Sequence, residues 1–234
     1  AIAMYRAGGL AVLHRYNTIE EQQRMAREVI DHTEWSGNVA AAIGVTGNYL
    51  QRAESLVAVG VDILCVDVAH GHHSLMKKAL TTLREAFDNH IYIMAGNVCT
   101  LEGINDLADW GADAVRCNIG GGSICSTRIV TGHGLPGLQT IFDCARTDRE
   151  VTIIADGGIK TSGDIVKALA AGADFAMCGS LLAGTTESPG KTISLPNNVR
   201  VKEYRGMASR DAQLNWRKKS STPEGVASYI PYKG

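Results

Sequence analysis

With 234 residues, 45% of them hydrophobic, and a formal charge of −1, the chain can build one large core and carries no charge excess that would draw it to nucleic acid or a membrane surface. Its one basic run is Arg217-Lys218-Lys219, nothing reads as a signal peptide, and its apolar stretches fall far short of the ~20 residues of a spanning helix. Six cysteines at irregular spacing, with no Cys-x-x-Cys, form neither a disulfide framework nor a zinc site, so a reducing cytoplasm is the expected compartment.

The chain opens on Ala-Ile-Ala-Met-Tyr-Arg-Ala-Gly-Gly, which reads as the tail of a helix whose preceding strand is absent. One unit then repeats: an apolar strand, a turn, an amphipathic helix, and a glycine that ends the helix before the next strand. Strands are expected at 10–14, 39–45, 62–68, 91–96, 114–119, 151–156 and 175–180. The punctuation recurs as Gly60-Val61-Asp62, Gly111-Ala112-Asp113 and Gly172-Ala173-Asp174. Near-continuous hydrophobicity in these segments fits strands buried on both faces.

Seven such strands are one short of a (β/α)8 TIM barrel, so the expectation is a single catalytic barrel domain over 1–234 whose first strand lies outside the chain, with a flap and tail over about 185–234. A doubly wound open sheet is the competing architecture. The polar residues favour the barrel, because Asp67, Asn97, Gly120 to Cys125, Asp156 and Gly179-Ser180 all fall at strand C-terminal ends, which converge on one mouth in a barrel.

Gly120, Gly121 and Gly122 permit close backbone approach, and Cys125 follows among hydroxyls and beside Arg128, where hydrogen bonds and positive charge can hold a thiolate. The alternative is an inert thiol. Cys65, inside Asp-Ile-Leu-Cys-Val-Asp, shows what a structural cysteine looks like, and Cys125 has no such apolar setting. Asp156-Gly157-Gly158 and Gly179-Ser180 end successive late strands, where barrel enzymes bind phosphate on backbone N–H groups. They can equally be tight turns. Asp156 is placed to accept from ribose hydroxyls. His70, His72 and His73 lack a completed metal-ligand set and read as turn or cofactor-loop residues.

These segments together resemble the IMP dehydrogenase and GMP reductase family. The resemblance rests on Gly8-Gly9-Leu10 with His14, Asp67 to His72, Ala95-Gly96-Asn97-Val98, Gly122 to Arg128, Asp156 to Ile159, Gly179 to Gly184, Tyr204-Arg205-Gly206-Met207 and Pro231 to Gly234, in order along the whole chain. It implies that Cys125 attacks purine C2 and that Thr127 assists. It further implies that Ser123, Gly158, Gly179 and Ser180 hold the 5′-phosphate of a purine mononucleotide, Asp156 the ribose, and Tyr204, Gly206 and Met207 the purine edge. Asp67 and Asn97 would face the nicotinamide. Carbonyls of Gly120, Gly122 and Cys125 could hold a monovalent cation such as K+, and the assembly would be a homotetramer.

Within the family, a dehydrogenase oxidises IMP with NAD and activates water with an Arg-Tyr pair on a flap, whereas a reductase uses NADPH and expels ammonia from GMP. The segment from Met207 to Glu224 is short and holds no Arg-Tyr pair, and no CBS module is inserted between His14 and Ile43; both favour the reductase. Glu187 matches the acid that would protonate departing ammonia. The wording of Asp67 to His72, Asp156 to Ile159 and Gly179 to Leu182 is closer to the dehydrogenase. A purine-nucleotide-binding relative without turnover is the alternative of another class, disfavoured because Cys125, Thr127 and Glu187 are intact.

Overall fold

The computed structural model describes residues 1–32, 39–207, 209–218, 223 and 225–234. Its elements run α1 (Ile2–Arg6), β1 (Val12–Leu13), α2 (Ile19–His32), β2 (Ala40–Ile43), α3 (Tyr49–Val57), β3 (Ile63–Asp67), α4 (Ser74–Phe87), β4 (Tyr92–Val98), α5 (Leu101–Asp109) and β5 (Ala114–Cys117). The chain continues with α6 (Thr127–Thr131), α7 (Gly137–Cys144), β6 (Thr152–Asp156), α8 (Ser162–Ala170), β7 (Phe175–Met177), α9 (Ser180–Ala183), β8 (Thr192–Ser194), β9 (Arg200–Arg205), α10 (Arg210–Arg217) and β10 (Ala227–Pro231).

Strands β1 to β7 follow one another in chain order in a parallel sheet, with helices between them, as a (β/α)8 barrel requires. All seven expected strands are present. Their ends are trimmed where backbone pairing stops, and β4 runs two residues past the expected end, through Asn97 and Val98. Ser180 does not end β7. It opens α9, because the chain turns at Gly179 (φ −101°, ψ −80°) out of the extended conformation.

The chain separates into two compact units, one comprising residues 1–116 with 146–153 and the other residues 117–145 with 154–234. In the first unit, β2 and β3 pair from Ala40↔Ile63 to Ile43↔Val66, and β3 and β4 from Ile63↔Tyr92 to Asp67↔Gly96. Ala40 to Ile43 and Ile63 to Val66 are buried throughout, the pattern of strands covered on both faces.

The Gly-x-Asp repeat has a structural cause. Gly60 and Gly111 close α3 and α5 in the left-handed region (φ +97° and +107°), where a side chain is strained. Asp62 then accepts from Val39 N at 3.2 Å, and Asp113 from Ile93 N at 2.6 Å, so each aspartate ties its strand's entrance to the strand before. Arg84 reinforces the second tie by pairing with Asp113 and donating to Gly111 O at 2.7 Å. Between β1, β2, α2 and α3, the fully buried Gln22 donates to Ala42 O (2.9 Å) and accepts from Arg52 (2.5 Å), whose other nitrogen donates to Asn17 O (2.8 Å).

In the second unit, the end of β6 pairs with β7 from Ile154↔Phe175 to Asp156↔Met177. Phe175 is 63% exposed, so β7, at the sheet edge, departs from the expectation of burial on both faces. The tail forms an antiparallel sheet in the order β10-β9-β8, which the sequence reading did not anticipate. Among the described residues no helix is long and apolar enough to cross a membrane.

Candidate active site

The cysteine loop leaves β5 through Asn118, a buried residue at φ +113°, a conformation that favours glycine. Cys125 turns back on the loop by donating its N–H to Gly122 O at 3.1 Å, and its half-buried thiol donates to Thr127 Oγ1 at 3.1 Å. The sulfur therefore sits at the start of α6 with a hydroxyl beside it. The Arg128 guanidinium, expected to lend positive charge here, makes its hydrogen bonds to oxygens of the loop. Arg128 donates to Ile119 O (3.0 Å), to Asn118 Oδ1 (3.0 Å) and to Leu135 O, because three oxygens within its fork match its planar donors.

The second loop of the candidate site follows β6. Gly157 (φ +89°) comes so close to the cysteine loop that an added Cβ would lie 3.0 Å from Gly121 C and Gly122 N, so a larger residue would be strained in its backbone and would push on the cysteine loop. Gly158 adopts φ +79°, and its Cβ position is 3.5 Å from Gly121 O. Asp156 is half-buried at the end of β6. Burial, aided by the Asp156 charge, pushes the Cys178 thiol upward, so this second cysteine at a strand end is kept protonated. Cys117, hydrogen-bonded to the buried Cys144, holds the Cys144 thiol below its ordinary value despite burial.

Tail residues reach the same loops. A Cβ on Gly179 would lie 3.4 Å from the Tyr204 hydroxyl, and one on Gly206 3.6 Å from Ile124. Gly206 N donates to Val226 O (3.1 Å), Val226 N donates to Ile124 O (3.0 Å), and Gly225 bridges both Cys125 and Ser209. The short flap thus has its base closed on the cysteine loop, with α10 occupying part of its length. Ala208, Lys219 and Glu224 of the flap lie outside the described residues. Met207 and Ser123 are exposed.

Glu187 is exposed in the loop after α9, and that loop is fastened from the tail. Lys202, 2% exposed, donates to Thr185 O (2.8 Å) and to Ser188 O, while Thr186 N donates to Gly234 O (2.8 Å). Of the carbonyls expected to hold a cation, that of Gly122 already accepts the Cys125 N–H. Among the described residues no group of three or more His, Cys, Asp or Glu could hold a metal ion.

In the first unit, Asp67 ends β3 against Arg116, with Arg15 Nε 3.8 Å away. Burial works to raise its carboxyl, but the charge and hydrogen bond of Arg116, joined by Arg15, outweigh burial and hold it below the usual carboxylate range. Asn97 is pinned through its backbone, which donates to Val68 O (3.1 Å) and accepts from Gly71 N (2.7 Å). A Cβ on Gly71 would lie 3.0 Å from Asn97 O. His73 caps α4 by accepting from Leu75 N (3.1 Å), the turn role expected of it, and His72 pairs with Asp106 at 2.8 Å, which sequence reading missed.

A family model described as IMP dehydrogenase / GMP reductase domain matches residues 1–234. This chain belongs to the IMP dehydrogenase / GMP reductase family. It is 45% identical over 210 residues to an inosine-5′-monophosphate dehydrogenase of Nitrosopumilus maritimus, covering 84% of this chain and 44% of that protein. It is 47% identical over 206 residues to one of Bacillus subtilis (84% and 42%) and 45% identical over 211 residues to a GMP reductase of Leishmania major (84% and 42%). The chain spans less than half the length of these relatives. Both names occur at equal similarity, so identity alone does not separate the two reactions.

Proposed function

We propose that this protein is a cytoplasmic GMP reductase that converts GMP to IMP and ammonia through a covalent bond between Cys125 and purine C2. The observation that carries the covalent chemistry is Cys125 Sγ, 3.1 Å from Thr127 Oγ1 on a glycine loop in backbone contact with the Gly157 turn. What favours the reductase is the short flap, whose ends meet at Gly206 and Val226 and which carries no Arg-Tyr pair to activate water.

Ser123, Gly158, Gly179 and Ser180 would hold the 5′-phosphate, Asp156 the ribose, and Tyr204, Gly206 and Met207 the base. Cys125 adds to C2, and the amine leaves with a proton from Glu187, assisted by Thr127. When bound, NADPH supplies the hydride that replaces the amine at C2, after which the thiolate departs. GMP, NADPH and two protons give IMP, NADP+ and ammonium. Asp67 and Asn97 suit the nicotinamide end, since Arg15 Nε beside Asp67 is buried without a hydrogen-bond partner and leaves a donor unmet in that setting. Carbonyls of Gly120, Gly122 and Cys125 would hold K+, and the assembly would be a homotetramer.

Oxidation of IMP with NAD is the second reading, favoured by the wording of Asp67 to His72 and by relatives named inosine-5′-monophosphate dehydrogenase. Rapid quench of the full-length protein with GMP and NADPH, followed by mass spectrometry of the peptide carrying Cys125, tests the covalent step. A purine adduct on Cys125 is expected. Turnover with Cys125 unmodified at every time point would remove it.

A further inference from the structure

We infer that Asn118 and Arg128 are positioning residues that lock the nucleophile's loop to the nucleotide cradle. The inference rests on the covalent reading of Cys125 but concerns two side chains that reading does not use. Asn118 Nδ2 donates to Asp156 O at 2.9 Å and to Gly157 O at 3.4 Å, so the residue that opens the cysteine loop also grips the turn after β6. Its Oδ1 accepts from Arg128 at 3.0 Å. Arg128 then binds the loop on both sides of itself, at Ile119 O (3.0 Å) and Leu135 O. One amide and one guanidinium therefore join four stretches of backbone: the exit of β5, the turn after β6, the start of α6 and the approach to α7.

The surrounding glycines fit this device. A Cβ on Gly121 would collide with Asn118 Nδ2, and one on Gly137 would lie 2.9 Å from it. At Gly120 and Gly134 an added Cβ would lie 2.7 Å and 2.6 Å from the Arg128 side chain. The loop is thus cleared around these two side chains. The backbone of Asn118 argues for a positive role as well. At φ +113° an asparagine is strained where glycine would rest, so the amide is held at a site where the backbone alone favours its removal.

The consequence is geometric. The proposed cradle holds the nucleotide through Asp156 and Gly158, while the sulfur that must reach C2 belongs to another loop, and a misplacement of about 1 Å can lower a rate by about 10²-fold. Loosening the tie should lower kcat and leave KM for GMP nearly unchanged, since the contacts that bind phosphate and ribose remain.

Asn118→Gly separates positioning from folding, because it relieves the backbone while deleting the amide. In the full-length protein we expect a Tm lowered by no more than about 5 °C, since relief of the backbone offsets part of the lost hydrogen bonds, with a fall in kcat of about tenfold or more and a KM for GMP within about threefold. In nucleotide-free protein, the rate of Cys125 alkylation by iodoacetamide, followed by mass spectrometry, should change by about fivefold or more as the loop loosens. Arg128→Lys, which keeps the charge but cannot span three oxygens, should act in the same direction, and the double variant should be little worse than either single one. Asn118→Gly with wild-type kcat and wild-type alkylation would overturn the lock, as would additive losses in the double variant. A wild-type protein that turns over neither GMP nor IMP would instead defeat the covalent reading, while the alkylation rates would still decide the lock.

Discussion

Cys125 and Asp67 are each defined by their immediate partners, and the partners dictate what substitution does. Removing the sulfur in Cys125→Ala takes away the proposed bond to C2 but none of the proposed phosphate or ribose contacts. Turnover should vanish while GMP affinity by calorimetry stays within about tenfold. Asp67→Asn leaves Arg116 and Arg15 facing a neutral group in a half-buried site. With Asp67 35% exposed, solvent reduces the loss from the several kcal/mol of a fully buried pair to about 2 kcal/mol in urea unfolding. Because the folded carboxyl lies below its unfolded value, this contribution is complete above the ordinary carboxylate range and is lost as pH falls through the folded pKa. The wild-type advantage over Asp67→Asn should therefore shrink only in acid. The places of Cys125 on a loop and of Asp156 at the end of β6 were legible in the sequence because a glycine run and a strand end mark such positions in the chain itself. Asn118 and the Arg128 fork were not, since their meaning lies in carbonyls of Asp156, Gly157 and Leu135 that only the fold brings near. The one available signal was an asparagine preceding three glycines, a residue that tolerates positive φ.

At the level of elements, apolar runs and the Gly-x-Asp repeat disclosed β1 to β7, because strands buried on both faces must be continuously hydrophobic. What the repeat did not disclose was the work of its aspartates. Asp113→Ala should lose the bond to Ile93 N and the ion pair with Arg84, lowering stability by about 2 kcal/mol in denaturant titration. The tail sheet escaped notice for the opposite reason. β9 reads Arg-Val-Lys-Glu-Tyr-Arg, and its buried Lys202 serves carbonyls rather than an apolar core. That ammonium fastens the loop carrying Glu187. Glu187→Gln should slow GMP deamination by about 10²-fold, as for loss of a general acid, with a smaller change in GMP binding.

For the whole molecule, the family settles the architecture, and the proposed reaction turns on the second half of its catalytic cycle. A homotetramer is expected in sedimentation at micromolar concentration, and a stable monomer would count against that part of the proposal. The most direct measurement is paired turnover of the full-length protein, GMP with NADPH against IMP with NAD, following nicotinamide absorbance together with chromatography of the nucleotides. A GMP reductase should consume NADPH with formation of IMP and ammonia and convert IMP poorly, because the flap from Met207 to Glu224 offers no Arg-Tyr pair to activate water. Robust formation of XMP from IMP and NAD, with no NADPH oxidised in the presence of GMP, would contradict it.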